Sequence, residues 1–176
     1  MQRRSALAGL LRFNLAALGA VALAGCGFHL RASQTFPFSS LAIMPNPGGP
    51  LTIELRRSFG SAVRVLGPDE PLTQAQIVLD IVQEQPEKTV VGITSTGQVR
   101  EFQLRIRLKF KVRTPQGKEL VPETEIVQQR DITFNESAVL AKEAEADLLY
   151  RDMQTDIVQQ LMRRLASAKL DYAAVP

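Results

Sequence analysis

Cys26 is the only thiol in the 176-residue chain, and Leu23-Ala24-Gly25 stands directly before it. Small residues ahead of a cysteine let a peptidase approach the backbone closely. The thiol can then carry a diacylglycerol, and the amine freed by cleavage can be acylated. Several acyl chains hold a protein at a membrane where a single chain would not. Arg3, Arg4 and Arg12 and the uncharged stretch Phe13 to Ala24 precede this lipobox-like site. That is the layout of a signal peptide, and its apolar run is too short to span a bilayer. The expectation is removal of residues 1–25 and lipidation at Cys26. A buried free thiol would require the basic start, the apolar run, the small residues and the unique cysteine to coincide by chance.

The remaining reactive groups are sparse. The single histidine, His29, lies three residues past the anchor, where it cannot easily reach a cleft in a folded domain. No Ser-His pair, metal-ligand spacing or phosphate-cradling glycine loop is present. Glu123, Glu125 and Asp131 could pair as catalytic carboxylates, but charged strand residues are usually solvated. An enzyme is therefore not expected, nor a cofactor or a metal. The stronger signal is a row of cations. Arg105, Arg107, Lys109, Lys111 and Arg113 alternate with apolar residues, which sets them roughly 6.5–7 Å apart on one side of a strand. Such a row needs acidic neighbours or an anionic ligand. Cross-strand pairing with Glu119, Glu123, Glu125 or Asp131 would leave an ordinary solvated face. A phosphorylated glycolipid would instead meet several forked cationic contacts at once.

Charge balance sharpens the choice. Three of the twenty-one basic residues leave with residues 1–25, which leaves eighteen against eighteen acidic ones and a net charge of zero. The basic excess of the whole chain thus gives no argument for nucleic acid as a partner. The mature length is enough for one domain with its own core. With Cys26 lipidated, no thiol remains for a disulfide.

These residues must be positioned by a small set of elements. Residues 27–40 read as a tether. Leu41 to Met44 reads as a strand, and Pro45-Asn46-Pro47-Gly48-Gly49-Pro50 as a loop with a helix-starting proline. Leu51, Leu55, Phe59 and Ala62 recur at helical spacing, with Gly67-Pro68 as the stop. Ile77 to Glu84 and Thr89 to Thr94 read as two strands, and Thr96-Gly97-Gln98 as a hairpin turn. From Phe102 to Val112 every even residue is apolar, which predicts a long strand with one buried face. Thr114 to Lys118 is a turn. Leu120 to Phe134 returns as a strand in which Pro122 suggests an edge. Asn135 or Ser137 can cap a final helix, with Leu140, Ala144, Leu148, Ile157, Leu161 and Leu165 as its apolar stripe, broadened by Leu149, Val158 and Met162. Asp171 to Pro176 should fray. The expected fold is α+β, a single domain over 41–170 with two helices on one face of a mostly antiparallel four-stranded sheet.

Particular motifs carry a family resemblance. Cys26-Gly27-Phe28-His29-Leu30-Arg31 is similar to the start of the LptE family of lipopolysaccharide-assembly lipoproteins. Thr96-Gly97-Gln98 leading into Glu101-Phe102-Gln103-Leu104 resembles the central hairpin of that family. Leu140-Ala141-Lys142-Glu143, Asp147-Leu148-Leu149, Met153, Gln160-Leu161 and Arg164-Leu165 resemble its carboxy-terminal helix. The resemblance implies two helices on a four-stranded sheet and a plug inside the β-barrel protein LptD. It implies lipopolysaccharide as ligand, an outer-membrane lipid anchor and no catalysis. The domain would then face the periplasm and the barrel lumen. Gly27 lacks the Asp that in such lipoproteins favours inner-membrane retention. Family ligand contacts lie near the hairpin tip and before the last helix. Lys142 matches the second position; at the first, Ser95 and Thr96 replace a basic residue and Arg100 is the nearest cation. Arg105, Arg107, Lys109 and Lys111 complete the candidate lipopolysaccharide contacts. The competing reading is a pilotin-like or scaffolding lipoprotein that binds protein without glycolipid.

Overall fold

The computed structural model describes residues 34–170, so Cys26, Gly27 and His29, and the expected frayed tail, lie outside the described part. The strands are β1 (Ser40–Met44), β2 (Arg64–Val65), β3 (Ile77–Ile93), β4 (Val99–Arg113) and β5 (Glu119–Thr133). The helices are α1 (Pro50–Phe59) and α2 (Val139–Ser167), with short 3-10 turns at Leu72–Gln74 and Glu136–Ala138. The sheet runs β2-β1-β3-β4-β5. It is five-stranded and mixed, where four mostly antiparallel strands were expected. β1 lies parallel to both β2 and β3, because helical and irregular chain separates it from each. β2, two residues long, is too short for periodicity to register.

β4 decides the faces of the sheet. Its even residues Leu104, Ile106, Leu108, Phe110 and Val112 are buried, and they pack with Leu51, Leu55 and Phe59 of α1 and Met153, Ile157, Leu161 and Leu165 of α2. Fully burying each large side chain contributes roughly 1.5–3 kcal/mol, so this one strand supplies a large part of the core. The odd residues face the other way, as the alternation predicts. The opposite face is not bare throughout. Ala42, Leu66, Ala75 and Val78 form a second small cluster there, joined by Met44 and Leu72. The chain between β2 and β3 folds over that end of the sheet.

Three expectations change. The two predicted strands 77–84 and 89–94 are one long strand. Pro86 does not break it, because β1 pairs only with Ile77 to Asp80 and the rest of β3 has an edge where the missing N–H is tolerated. α1 stops at Gly60, which takes φ +52°, and not at Gly67. Ala62 is therefore exposed outside the helix, and Val63 fills the core position. In α2, Leu140 and Leu148 are 87% and 55% exposed and Ala144 is exposed as well. The nine residues from Leu148 to Ile157 make 2.5 turns at about 3.6 residues per turn, so the two lie on opposite faces. Ala146, Leu149, Tyr150 and Met153 take the inward positions of the first half.

The segment ahead of β1 is docked. Phe38 is buried, and the Phe36 ring lies 5.2 Å from that of Phe59 in an edge-on arrangement. The chain is thus held from Phe36 onward, four residues before the predicted tether ends.

Candidate ligand and partner surfaces

The β3–β4 hairpin turns tightly at Thr94 to Gln98. Thr94 N–H donates to the Gln98 carbonyl at 2.8 Å, and Gly97 takes φ +83° to complete the turn. Arg100 follows in β4, and its carbonyl accepts from Phe134 N–H at 2.8 Å. That bond ties the hairpin to the connection between β5 and α2. Asn135 caps the 3-10 turn there, accepting from Ser137 N–H at 3.0 Å. A concavity of about 510 Å³ lies between Gln98–Arg100 and Thr133–Ser137.

Both sequence-predicted terminal cations reach this end. Lys142 Nζ stands 3.2 Å from Thr133 Oγ1 and 2.8 Å from Glu145. Arg100 is exposed, with no side-chain hydrogen bond or ion pair among the described residues. Lys88 joins them unforeseen. Its Nζ sits 4.7 Å from the centre of the Phe102 ring and 2.8 Å from Glu143, and Phe102 packs edge-on against Phe134 at 5.2 Å. The signal for Lys88 was a register: it pairs with Leu104, which places it on the helix side of the sheet.

The cationic row of β4 has a different setting. It runs between two strands that carry acids. Arg107 lies 3.2 Å from Glu125 and 3.9 Å from Glu87; Arg105 is 3.8 Å from Glu87, and Lys109 is 3.9 Å from Glu123. Arg113 forks onto Asp80 at 2.7 and 3.3 Å. Lys111 has no ion pair among the described residues, although its register partner is Asp80. Four cations on this face thus meet four carboxylates, Glu87, Glu125, Glu123 and Asp80, while Asp131 accepts from the Gln103 amide at 3.1 Å. These pairs are partly open to solvent and each contributes about 1 kcal/mol, but together they balance most of the charge on the face. Glu123 and Glu125 are thereby cation partners, and Asp131 is bound by an amide. None of the three lines either cavity described in this section.

A larger cleft of about 760 Å³ opens on the helix side, between the start of α1, the middle of β3 and Tyr150 and Gln154 of α2. Glu84 on β3 accepts from Leu51 N–H at 3.2 Å and so caps α1 in place of a local side chain. Burial raises the Glu84 carboxyl above its ordinary value near 4.5, and the Leu51 N–H only partly offsets this. Tyr150 donates to the Glu87 carbonyl at 2.7 Å, and its hydroxyl is pushed up by burial and then by Glu143 and Glu87. The folded state binds the Glu84 proton more tightly than the unfolded chain does. Its contribution to stability should therefore fall as pH rises through the window from about 4.5 to the raised value, then level off. Glu84→Gln should remove that slope from the melting temperature measured against pH, leaving the slopes of other groups.

The model of the LptE lipopolysaccharide-assembly family matches residues 36–165. The chain belongs to the LptE family. The LPS-assembly lipoprotein LptE of Pectobacterium atrosepticum is 30% identical over 84% of this chain and 80% of its own length. That of Yersinia enterocolitica is 31% identical over 86% and 73%. Among solved structures, lipoprotein B of Nitrosomonas europaea matches with a TM-score of 0.69 and 30% identity, covering 80% of this chain and 91% of that one. Rare lipoprotein B of Shewanella oneidensis, at TM-score 0.61 and 24% identity over 73% and 95%, shares the fold. Membership in LptE makes lipopolysaccharide assembly the setting of this chain and lipoproteins its relatives. The matched span leaves out the Cys26–Arg31 hexapeptide, so β1 through α2 carries the family by itself.

Proposed function

We propose that this LptE chain is lipidated at Cys26, sits at the outer membrane facing the periplasm and a barrel lumen, and plugs and helps assemble the β-barrel LptD. In this reading it helps deliver lipopolysaccharide to the outer leaflet and binds it directly, without catalysis. The observation that carries the reading is the convergence of Arg100 and Lys142 on the Thr133–Phe134 connection. Arg100 lines the concavity and Lys142 bonds the Thr133 hydroxyl on its wall, and cations beside such a concavity suit the phosphates of a glycolipid. The outward face of α2 supports the barrel contact. Leu140, Ala144 and Leu148 are exposed there, and an apolar stripe facing away from the core suits a protein wall.

The neutral open face of the sheet favours a second reading in part. Arg105, Arg107 and Lys109 already face carboxylates, which suits polar contact with a protein better than phosphate capture. The row would then serve the barrel interface while Arg100 and Lys142 serve the ligand. A scaffolding lipoprotein for another complex would keep the protein contacts and lose the glycolipid.

Co-purification of the tagged, lipidated chain from envelope membranes tests the assignment. The expected result is a stoichiometric large β-barrel protein and a mass at the mature amino terminus that includes the acyl groups on Cys26. Absence of the barrel would remove the plug reading. Presence of the barrel with no salt-sensitive lipopolysaccharide binding by the purified chain would leave only the scaffold.

A further inference from the structure

β3 outruns its neighbour. β1 pairs with Ile77 to Asp80 and then leaves at Pro45. From Ile81 to Ile93, β3 bonds to β4 on one side and, among the described residues, to no strand on the other. A bulge at Ile81–Gln83 marks the point where pairing with β1 ends, and a second falls at Val90–Gly92. Between them runs a regular stretch, Gln83 to Val90, with an unpaired edge. Such edges are templates for an added strand.

The chemistry beside this edge is that of a receptor. The 760 Å³ cleft runs along it, lined from β3 by Val82, Glu84, Pro86 and Lys88 and from the helices by Thr52, Tyr150 and Gln154. Val82 is 48% exposed. Thr52 is 0% exposed, yet its hydroxyl has no hydrogen-bond partner among the described residues. Glu84 has the Leu51 N–H on Oε1, and no ion pair reaches it among the described residues. Burial of this carboxyl without a cation is unfavourable, and burial is the cause of its raised titration. A donor brought into the cleft would relieve both groups.

We infer that the open edge of β3 from Gln83 to Val90 accepts an extended strand from the β-barrel partner, which takes the position that β1 leaves at Met44 and sets a lysine or arginine against Glu84. This rests on the barrel reading above. A second copy of this chain is disfavoured because Pro86 lies mid-edge and would face its own symmetry mate without an N–H to give. Pro86 and the two bulges limit the edge to a short pairing. They make it selective where a long flat edge would aggregate.

Amide hydrogen exchange compares the full chain alone with the co-purified barrel complex, for wild type and Glu84→Gln. The substitution keeps an acceptor for the Leu51 N–H and removes the charge. In the wild-type complex, amides of Val82 to Val90 should slow at least tenfold, and Glu84→Gln should abolish most of that protection while the barrel still co-purifies. Mass mapping of cross-links from a photoreactive residue at Gln85 should then land on one extended barrel segment containing a lysine or arginine. A complex in which 82–90 exchanges as fast as in the free chain overturns the inference and leaves the plug reading standing. Protection that survives Glu84→Gln overturns it too. Failure to recover any barrel sinks both.

Discussion

Reversing both terminal cations, Arg100→Glu with Lys142→Glu, should weaken lipopolysaccharide binding by about a hundredfold or more and leave folding nearly intact. A hydrogen bond to a charged group contributes about 1.5–3 kcal/mol, and two lost contacts plus repulsion give at least that change. Folding is spared because neither side chain holds the core. Arg100 has no ion pair among the described residues, and Lys142 bonds the exposed Thr133 and Glu145. Titration of the purified chain at two salt concentrations reads the effect, with the melting temperature as control. The single variants should divide the loss unequally. Lys142 is held by Thr133 and Glu145, so it is the preorganised contact, whereas Arg100 must order on binding. Lys109→Glu in β4 is the contrast. Its charge is shared with Glu123, and reversal should disturb the barrel interface before it disturbs the ligand. Equal affinity of the double variant and wild type would move the ligand site elsewhere.

The second large effect is on stability. Phe110→Ala should cost about 3–5 kcal/mol, the usual range for removing a buried phenylalanine and leaving its cavity. Phe110 is 1% exposed and lies in the core that joins β4 to both helices. Its neighbours across the ladder are Ile81 and Thr124, so collapse onto the site would strain two strands at once. Urea unfolding of the mature domain measures it, and the midpoint should fall without a change in slope. A loss near 1 kcal/mol would mean that the helices close the cavity. The comparison with Arg107→Ala is instructive. Its ion pairs are partly open to solvent and contribute about 1 kcal/mol each, so its stability loss should be smaller, although both residues lie on β4.

The contrast between those two residues marks where the sequence is informative. Strict alternation from Phe102 to Val112 fixes which side of β4 is core, because a strand has only two faces and water selects between them. The turn at Gly97 and the edge character of Pro122 follow from local backbone chemistry in the same way, whereas Asn135 caps the 3-10 turn and α2 itself starts after Ala138 without a side-chain cap. Other features depend on register or phase, which no local pattern holds. The neutralisation of the cationic row needs Glu87 and Asp80, which lie on β3, across the hairpin from their partners on β4. Only the antiparallel pairing with its bulges brings them there. The outward turn of Leu140, Ala144 and Leu148 is a matter of helical phase over nine residues, and a stripe read by eye across that length joins opposite faces. The parallel β1 and the free edge of β3 arise from a crossover through α1. In this chain the sequence determines which residues seek burial and where the backbone must turn. Tertiary structure decides which charges meet, because pairing across strands is set by the alignment of distant segments.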